Sequence, residues 1–402
     1  MMDFNPFAPE FVADPYPVYA RLRESTPLFF HEPLQMWFAA DHATCVALLK
    51  SNSLGHEPQR GVPSEQFASR QSPALHAPLV EMQSRWMLLR DPPTHTRLRS
   101  LVHGAFAPPA IDRLRPQIQS AVDQLIAAAL QKSEIDIVGD LAGPLPLMVI
   151  AEMFGVPGVD RHALHRWSRE LADTVELSAS RDVHDRGAAA AVEFSEYLRA
   201  LVQERRRQPR QDVLSAFVHA DARGDSLTEE ELIATCTLLL VAGHETSTNF
   251  IGNGILALLR HPDQLELLKV HPELGPRAIE ELLRYDSPVQ TTFRTVLHDT
   301  EYGGRRLRQG ATVCLMLGAA NHDPAIFEEP HRLDITRDPN PHLSFSNGIH
   351  YCLGAPLARL EGQLAIQTLL SRVPQIELLD ESPTYRKTWA ARGLEALPVR
   401  FR

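Results

Sequence analysis

The stretch Phe345–Leu360, FSNGIHYCLGAPLARL, constrains this chain more than any other. It sets a lone cysteine, Cys352, in a loop punctuated by Gly348 and Gly354, and a helix follows at once. Glycine lets the backbone turn where a Cβ would clash. Pro356 suits a first helical turn, where its missing N–H costs little. Leu357, Leu360, Leu364 and Thr368 then recur at helical spacing. Cys352 thus stands just before a helix N-terminus, where free amides and the helix dipole favour a thiolate. Such a thiolate is a ligand or a nucleophile more readily than a packing residue. The alternative is a buried structural cysteine, the usual state of a free thiol. The surrounding spacing argues against it: Phe345 lies seven residues before, Gly348 four before, His350 two before and Gly354 two after.

That pattern, F-x-x-G-x-H-x-C-x-G followed by x-x-L-A-R, resembles the haem-binding loop of the cytochrome P-450 family. Phe345, Gly348, His350, Cys352, Gly354, Leu357, Ala358 and Arg359 all match. Ser346 departs from it, because the family usually has glycine there.

A second cluster lies in WMLLRDPPTHTRLRSLVHGAF, residues 86–106. Pro92-Pro93 breaks the chain, Thr94 is a cap for the helix that follows, and His95 and Arg99, four apart, share one helix face. By themselves they read as a surface pair. D-P-P-x-H-x-x-x-R resembles the family helix whose His and Arg hold a haem propionate, a charge-assisted contact. Trp86 is near enough to pack on the same edge.

The third cluster sits in a long helix from about Leu227 to Arg260, opened by a capping box of Thr228 and Glu231. Its middle reads LLLVAGHETSTNF. Gly243 costs about 1 kcal/mol relative to alanine inside a helix, and Glu245, Thr246 and Ser247 put polar groups where a structural helix needs none. A zincin motif fails because position 248 is threonine, and Gly252-x-Gly254-x-x-Ala257 sits inside a helix with no preceding strand. A helix grooved for a neighbour remains as the plain alternative, since mid-helix Ser and Thr can bond back to carbonyls. Ala242–Ser247 resembles the family's [AG]-G-x-[DE]-T-[TS] motif throughout. Glu281 and Arg284 resemble the family's buried E-x-x-R pair, with Arg337 as a third partner, and Arg294 resembles a second propionate-binding arginine.

Between these clusters the pattern is mostly helical. A helix is expected at Pro17–Ser25, a hairpin at Leu28–Ala40, and a helix capped by Asp41 up to Lys50. Residues 51–80 show no periodicity. Helices are expected over 110–132 and 141–155. Arg161–Arg207 resembles the family's mobile lid, with Trp167, Leu171, Thr174 and Val175 facing inward, and Arg205–Arg207 read as a solvated helix end. Small strands are expected over His298–Gly318, and Arg392-Gly393-Leu394 reads as a hairpin tip reaching a substrate. No Gly/Ser-rich linker divides the chain, so 402 residues are expected to form a single domain, 1–402. The resemblance implies a mainly α protein with small β-sheets and a long central helix over the haem.

The net charge of −10 argues against general nucleic-acid binding. Cys45, Cys236, Cys314 and Cys352 form no CxxC pair, which disfavours a disulfide framework or zinc site and fits a reducing, cytoplasmic setting. The start, MMDFNPFAPEF, lacks the charge and apolar run of a signal peptide, and Leu238–Gly243 is too short to span a membrane. A monomer without a membrane anchor is expected.

The resemblance implies a haem-thiolate monooxygenase. Cys352 would be the axial ligand of haem b (iron protoporphyrin IX), and His95, Arg99, Arg294 and His350 would neutralise its propionates. Phe345, Gly348 and Gly354 would shape the loop, while Ala242 and Gly243 would make room on the opposite face. Glu245 and Thr246 would be the catalytic acid–alcohol pair. The chain has no flavin or iron–sulfur motif, so electrons from NAD(P)H would arrive through a ferredoxin and its reductase. The substrate would be a lipophilic small molecule, such as a fatty acid, terpenoid or polyketide, with Leu239, Val289, Thr292 and Leu394 as lining. A haem gas sensor or carrier is the alternative outside enzymes, but it has no use for the proton-delivering motif. Within enzymes, a peroxide-driven or non-hydroxylating haem-thiolate member is a further alternative; a peroxygenase would be expected to lack the acid–alcohol pair, which is present.

Overall fold

The computed structural model describes residues 4–57, 76–176, 179–220 and 225–402. It is mainly α with three small sheets among those residues. The chain divides into two compact units. One comprises Met1–Leu54, Ile118–Leu145 and Thr246–Arg402; the other comprises Gly55–Gln117 and Pro146–Glu245.

The first unit holds the β-structure. Leu28–His31 and Met36–Ala39 form the expected hairpin, with Leu28 opposite Ala39. Met36–Ala39 runs parallel to Thr312–Leu315, which pairs antiparallel with Thr292–Val296. Behind the hairpin, Asp41 caps the helix His42–Leu49 by accepting the Thr44 amide at 2.9 Å. Leu28, Ala39, Cys45, Leu48, Val313 and Leu315 close a common apolar core over these strands. A second sheet pairs Pro398–Phe401 with Ile135–Asp136 and Ile376–Leu378.

Helix Gly275–Tyr285 anchors the irregular chain that follows it. Glu281 and Arg284 are fully buried and pair through two contacts of 2.8 Å. Arg337 adds a contact of 3.1 Å to Glu281, as expected from the sequence. The rest of the set was not foreseen: the Asp334 amide and Asn340 Nδ2 also donate to Glu281, and Arg284 donates to the carbonyls of Asn321 and Pro330. Every lone pair and N–H so engaged offsets desolvation that an isolated buried pair would not recover.

In the second unit, the region expected to form the lid folds as two helices, Arg161–Asp173 and Arg181–Arg207. Trp167, Leu171 and Thr174 are buried, whereas Val175 is exposed, because the chain has already left the helix at Asp173. Arg205 is not a solvated helix end: it is fully buried, with Nε 2.6 Å from Asp212 and Nη2 donating to the Gly155 carbonyl. A further correction concerns Thr94. It is the first helical residue, and Pro93 occupies the capping position without a side-chain cap. Ala77–Ser84 forms a helix inside the stretch read as irregular; most of that stretch, 58–75, lies outside the described residues.

Candidate active site

The cysteine loop is built within the first unit. Cys352 N donates to the Phe345 carbonyl at 2.9 Å, and Tyr351 N to that of Gly348 at 3.1 Å, closing a short 3-10 turn over Gly348–His350. Gly348 has φ +73, and a Cβ there would lie 2.6 Å from the Leu49 carbonyl oxygen, so the position requires glycine twice over. Helix Ala355–Arg372 starts after Gly354, with Pro356 in its first turn. Cys352 is exposed, while Cys45, Cys236 and Cys314 are fully buried. Burial pushes the Cys236 thiol up to about 12, and that of Cys45 higher still. Only Cys352 therefore combines access, a helix start and a turn held by backbone bonds, the state a thiolate ligand needs.

A clamp holds this loop from outside. The Arg359 guanidinium lies 4.5 Å from the centroid of the Phe345 ring and grips Glu280 at 2.6 and 2.8 Å. His342 contacts the same carboxylate at 3.2 Å. Burial raises the Glu280 pKa, but the Arg359 and His342 bonds outweigh it and hold it near about 2. Phe345 and Arg359 were both legible as motif positions; Glu280 and His342 were not, since Glu280 carries no signal beyond standing next to Glu281.

Ser346, the departure from the family pattern, has φ +62. Its Oγ is buried without a hydrogen-bond partner. The backbone here demands what glycine supplies, and serine meets the demand under strain.

Arg294 lies in strand Thr292–Val296, buried, donating to Thr292 Oγ1 at 3.1 Å and the Phe293 carbonyl at 2.8 Å. Arg392 corrects the hairpin-tip reading: its guanidinium is buried, 2.7 Å from Asp286 and stacked over Tyr385.

In the second unit, helix Thr94–Val102 presents His95 and Arg99 one turn apart. Burial, and then the Arg99 charge, lower the His95 pKa and favour the neutral imidazole. The Ala242–Ser247 motif lies in an unbroken helix, Glu229–Arg260, whose capping box forms as expected: Thr228 N donates to Glu231 at 3.0 Å and Glu231 N to Thr228 Oγ1 at 3.2 Å. The unit boundary falls between Glu245 and Thr246. Gly243 has a packing reason of its own, because a Cβ there would come within 3.0 Å of Ile150. His244 is buried, 2.8 Å from Ser168 Oγ.

The family model for cytochrome P450 matches residues 61–374. The chain belongs to the cytochrome P450 family. It is 41% identical to the biotin biosynthesis cytochrome P450 of Bacillus subtilis strain 168, over 98% of this chain and 97% of that protein. It is 40% identical to the polyketide biosynthesis cytochrome P450 PksS of the same organism, over 98% of both chains. The crystal structure of P450BioI in complex with hexadec-9Z-enoic acid ligated acyl carrier protein matches with a TM-score of 0.91 and 40% identity, covering 98% of this chain and 99% of that one. The fold is therefore the P450 fold, the cofactor is haem, and the protein is a P450 monooxygenase, an oxidoreductase. Among the described residues no helix is long and apolar enough to cross a membrane. The exposed thiol of Cys352 suits haem iron, as a soft, accessible donor on a turn that backbone bonds fix.

Proposed function

We propose that this P450 binds haem through Cys352 and oxidises a lipophilic acyl or polyketide-like substrate, with Glu245 and Thr246 governing proton delivery. The observation that carries the reading is the Cys352 loop: one accessible thiol, at a helix start, in a turn of fixed shape. Bound haem supplies oxygen activation, and a thiolate ligand favours O–O cleavage, as it does in P450s generally. The chain's own groups do the rest. His95, Arg99, Arg294 and His350 neutralise the propionates, whose burial unpaired would be costly. Phe345, Gly348 and Gly354 hold the thiolate in place, and Ala242 and Gly243 keep the long helix slim beside the cofactor. Thr246 Oγ1 orients a proton donor, and Glu245 relays protons from solvent. An apolar pocket excludes water and holds the target carbon.

The substrate class is supported by the names of similar proteins, one of biotin biosynthesis and one of polyketide biosynthesis, and by the acyl chain bound in the P450BioI complex. Electrons reach the haem from NAD(P)H through a ferredoxin and its reductase, and the whole chain acts as one catalytic domain.

The test is Thr246→Ala, assayed with hexadec-9Z-enoic acid, free and linked to an acyl carrier protein. Product per NAD(P)H is expected to fall at least tenfold while peroxide rises. A yield unchanged from wild type removes the role given to Thr246. If neither form shifts the Soret band on titration, the acyl substrate class is wrong.

A further inference from the structure

Arg284 does more than pair with Glu281. Its Nη1 donates to the Asn321 carbonyl at 2.9 Å and to the Pro330 carbonyl at 2.8 Å. One guanidinium nitrogen thus draws together two separate points of the irregular chain, and the residue after each carbonyl is a histidine, His322 and His331. Their rings meet: Nδ1 lies 3.2 Å from Nδ1, and the ring centroids are 5.2 Å apart. The buried ion pair therefore holds the two imidazoles in register before anything binds them.

The partners of each ring fix its tautomer. His322 is buried, and its Nε2 lies 2.9 Å from the Tyr285 carbonyl, which can only accept, so Nε2 carries the hydrogen. Burial, and then the Arg284 charge, hold the His322 pKa well below the ordinary imidazole value. The ring is neutral and Nδ1 presents a lone pair. A ring that donates its far N–H to a backbone carbonyl is oriented as metal-ligating histidines are. His331 is exposed, and in the hydrogen-bonded pair its Nδ1–H donates to His322 Nδ1. Its Nε2 has no partner among the described residues, so solvent can move that hydrogen to Nε2 and free the second lone pair. Zinc binds imidazole nitrogen at about 2.0–2.1 Å, so nitrogens 3.2 Å apart subtend about 100° at the metal, close to tetrahedral. The charges facing the pair are Arg284, Arg23 and Asp14. Glu281 offsets Arg284, Arg23 is turned onto the Ala319 carbonyl at 2.7 Å, and Asp14 favours a cation. Both histidines line a groove of about 1090 Å³ together with Asp14, Tyr16 and Tyr285, which gives water access to the remaining coordination positions.

We propose that His322 Nδ1 and His331 Nδ1 form a two-histidine site for a borderline divalent cation, zinc foremost, with water completing the shell. Two imidazoles select zinc, copper or nickel over the oxygen-seeking magnesium and calcium. The bound cation replaces the hydrogen bond between the rings and ties residue 322 to residue 331. It closes the loop whose ends Arg284 already holds, and so fastens the irregular chain that leads to the cysteine loop. Because the pair is complete only in the folded chain, zinc stabilises the fold by mass action.

The experiment is calorimetric titration of the chelator-treated ferric holoenzyme with zinc chloride, in a buffer that does not bind zinc. One zinc per chain is expected, with affinity at least tenfold lower in His331→Asn, since one of two protein ligands is lost. His331 is exposed, so this variant keeps the fold. Zinc K-edge X-ray absorption of the one-to-one complex should show two imidazole nitrogens at about 2.0–2.1 Å, with oxygen in the remaining positions. That measurement needs no variant, and so serves even if His322→Asn, which gives up a buried hydrogen bond, does not fold. Zinc should also raise the denaturant midpoint of wild type and leave that of His331→Asn where it was. No zinc binding, or equal affinity in His331→Asn, overturns the proposal and leaves the pair a plain hydrogen bond between imidazoles. A zinc shell that contains sulfur, or fewer than two imidazoles, overturns it as well.

Discussion

Ser346 shows at residue scale how this chain departs from its family and what the departure costs. A non-glycine residue at φ +62 carries strain on the order of 1 kcal/mol or more. Its buried, unpartnered hydroxyl adds a cost of about 1–3 kcal/mol. Ser346→Gly gives back some conformational entropy to the unfolded chain, about 1 kcal/mol. The net expectation is a holoenzyme stabilised by roughly 1 kcal/mol, read as a raised denaturant midpoint; a lowered midpoint would show that the serine is compensated. Glu361, buried on helix Ala355–Arg372, gives the second residue-scale prediction. Its folded pKa of about 8 lies above the ordinary 4.5, so its contribution to stability is intact below about pH 4.5 and declines as pH rises through 8. Glu361→Gln lacks this dependence. Its stability advantage over wild type should therefore grow between about pH 5 and pH 9, by on the order of a few kcal/mol, and equal pH profiles would contradict burial as the cause.

At the scale of elements, helix Gly275–Tyr285 holds two different things with neighbouring carboxylates. Glu280 grips Arg359 and so steadies the cysteine loop, while Glu281 grips Arg284 and Arg337 and so anchors residues 321–340. Removing Arg284 from the fully buried Glu281–Arg284 pair leaves the Glu281 charge with Arg337 as its one ion-pair partner among the described residues and empties the site that held the Asn321 and Pro330 carbonyls. Arg284→Ala is expected to cost about 3–5 kcal/mol and to yield protein without bound haem. Haem retention at the wild-type level, judged by the Soret-to-protein absorbance ratio, would show that the pair does not support haem binding. The elements also show what the sequence made legible. The hairpin, the Asp41 cap, the Thr228–Glu231 box and the helical character of 161–207 follow from local periodicity and capping chemistry, and they form where expected. Arg205 and Arg392 were misread: Arg205 folds back onto Asp212, seven residues on and past the helix end, and Arg392 finds Asp286, more than a hundred residues away, and helical periodicity signals neither. Glu361 escaped notice for the same reason: its burial is set by Gly362 meeting Phe250, over a hundred residues away in sequence.

For the molecule as a whole, the family and the reaction class were readable from motifs held in fixed order along the chain, and the comparisons agree. The roles of the individual residues rest on how those motifs meet one cofactor, which local spacing does not encode. The claim on which the others depend is that Cys352 is the thiolate ligand of the haem iron. The most direct measurement is the carbon monoxide difference spectrum of the dithionite-reduced holoenzyme, for wild type and for Cys352→His. Wild type is expected to give the strongly red-shifted Soret band of thiolate ligation, and Cys352→His to bind haem without that band. A red-shifted band that survives the substitution, or none in wild type retaining its haem, would contradict the account.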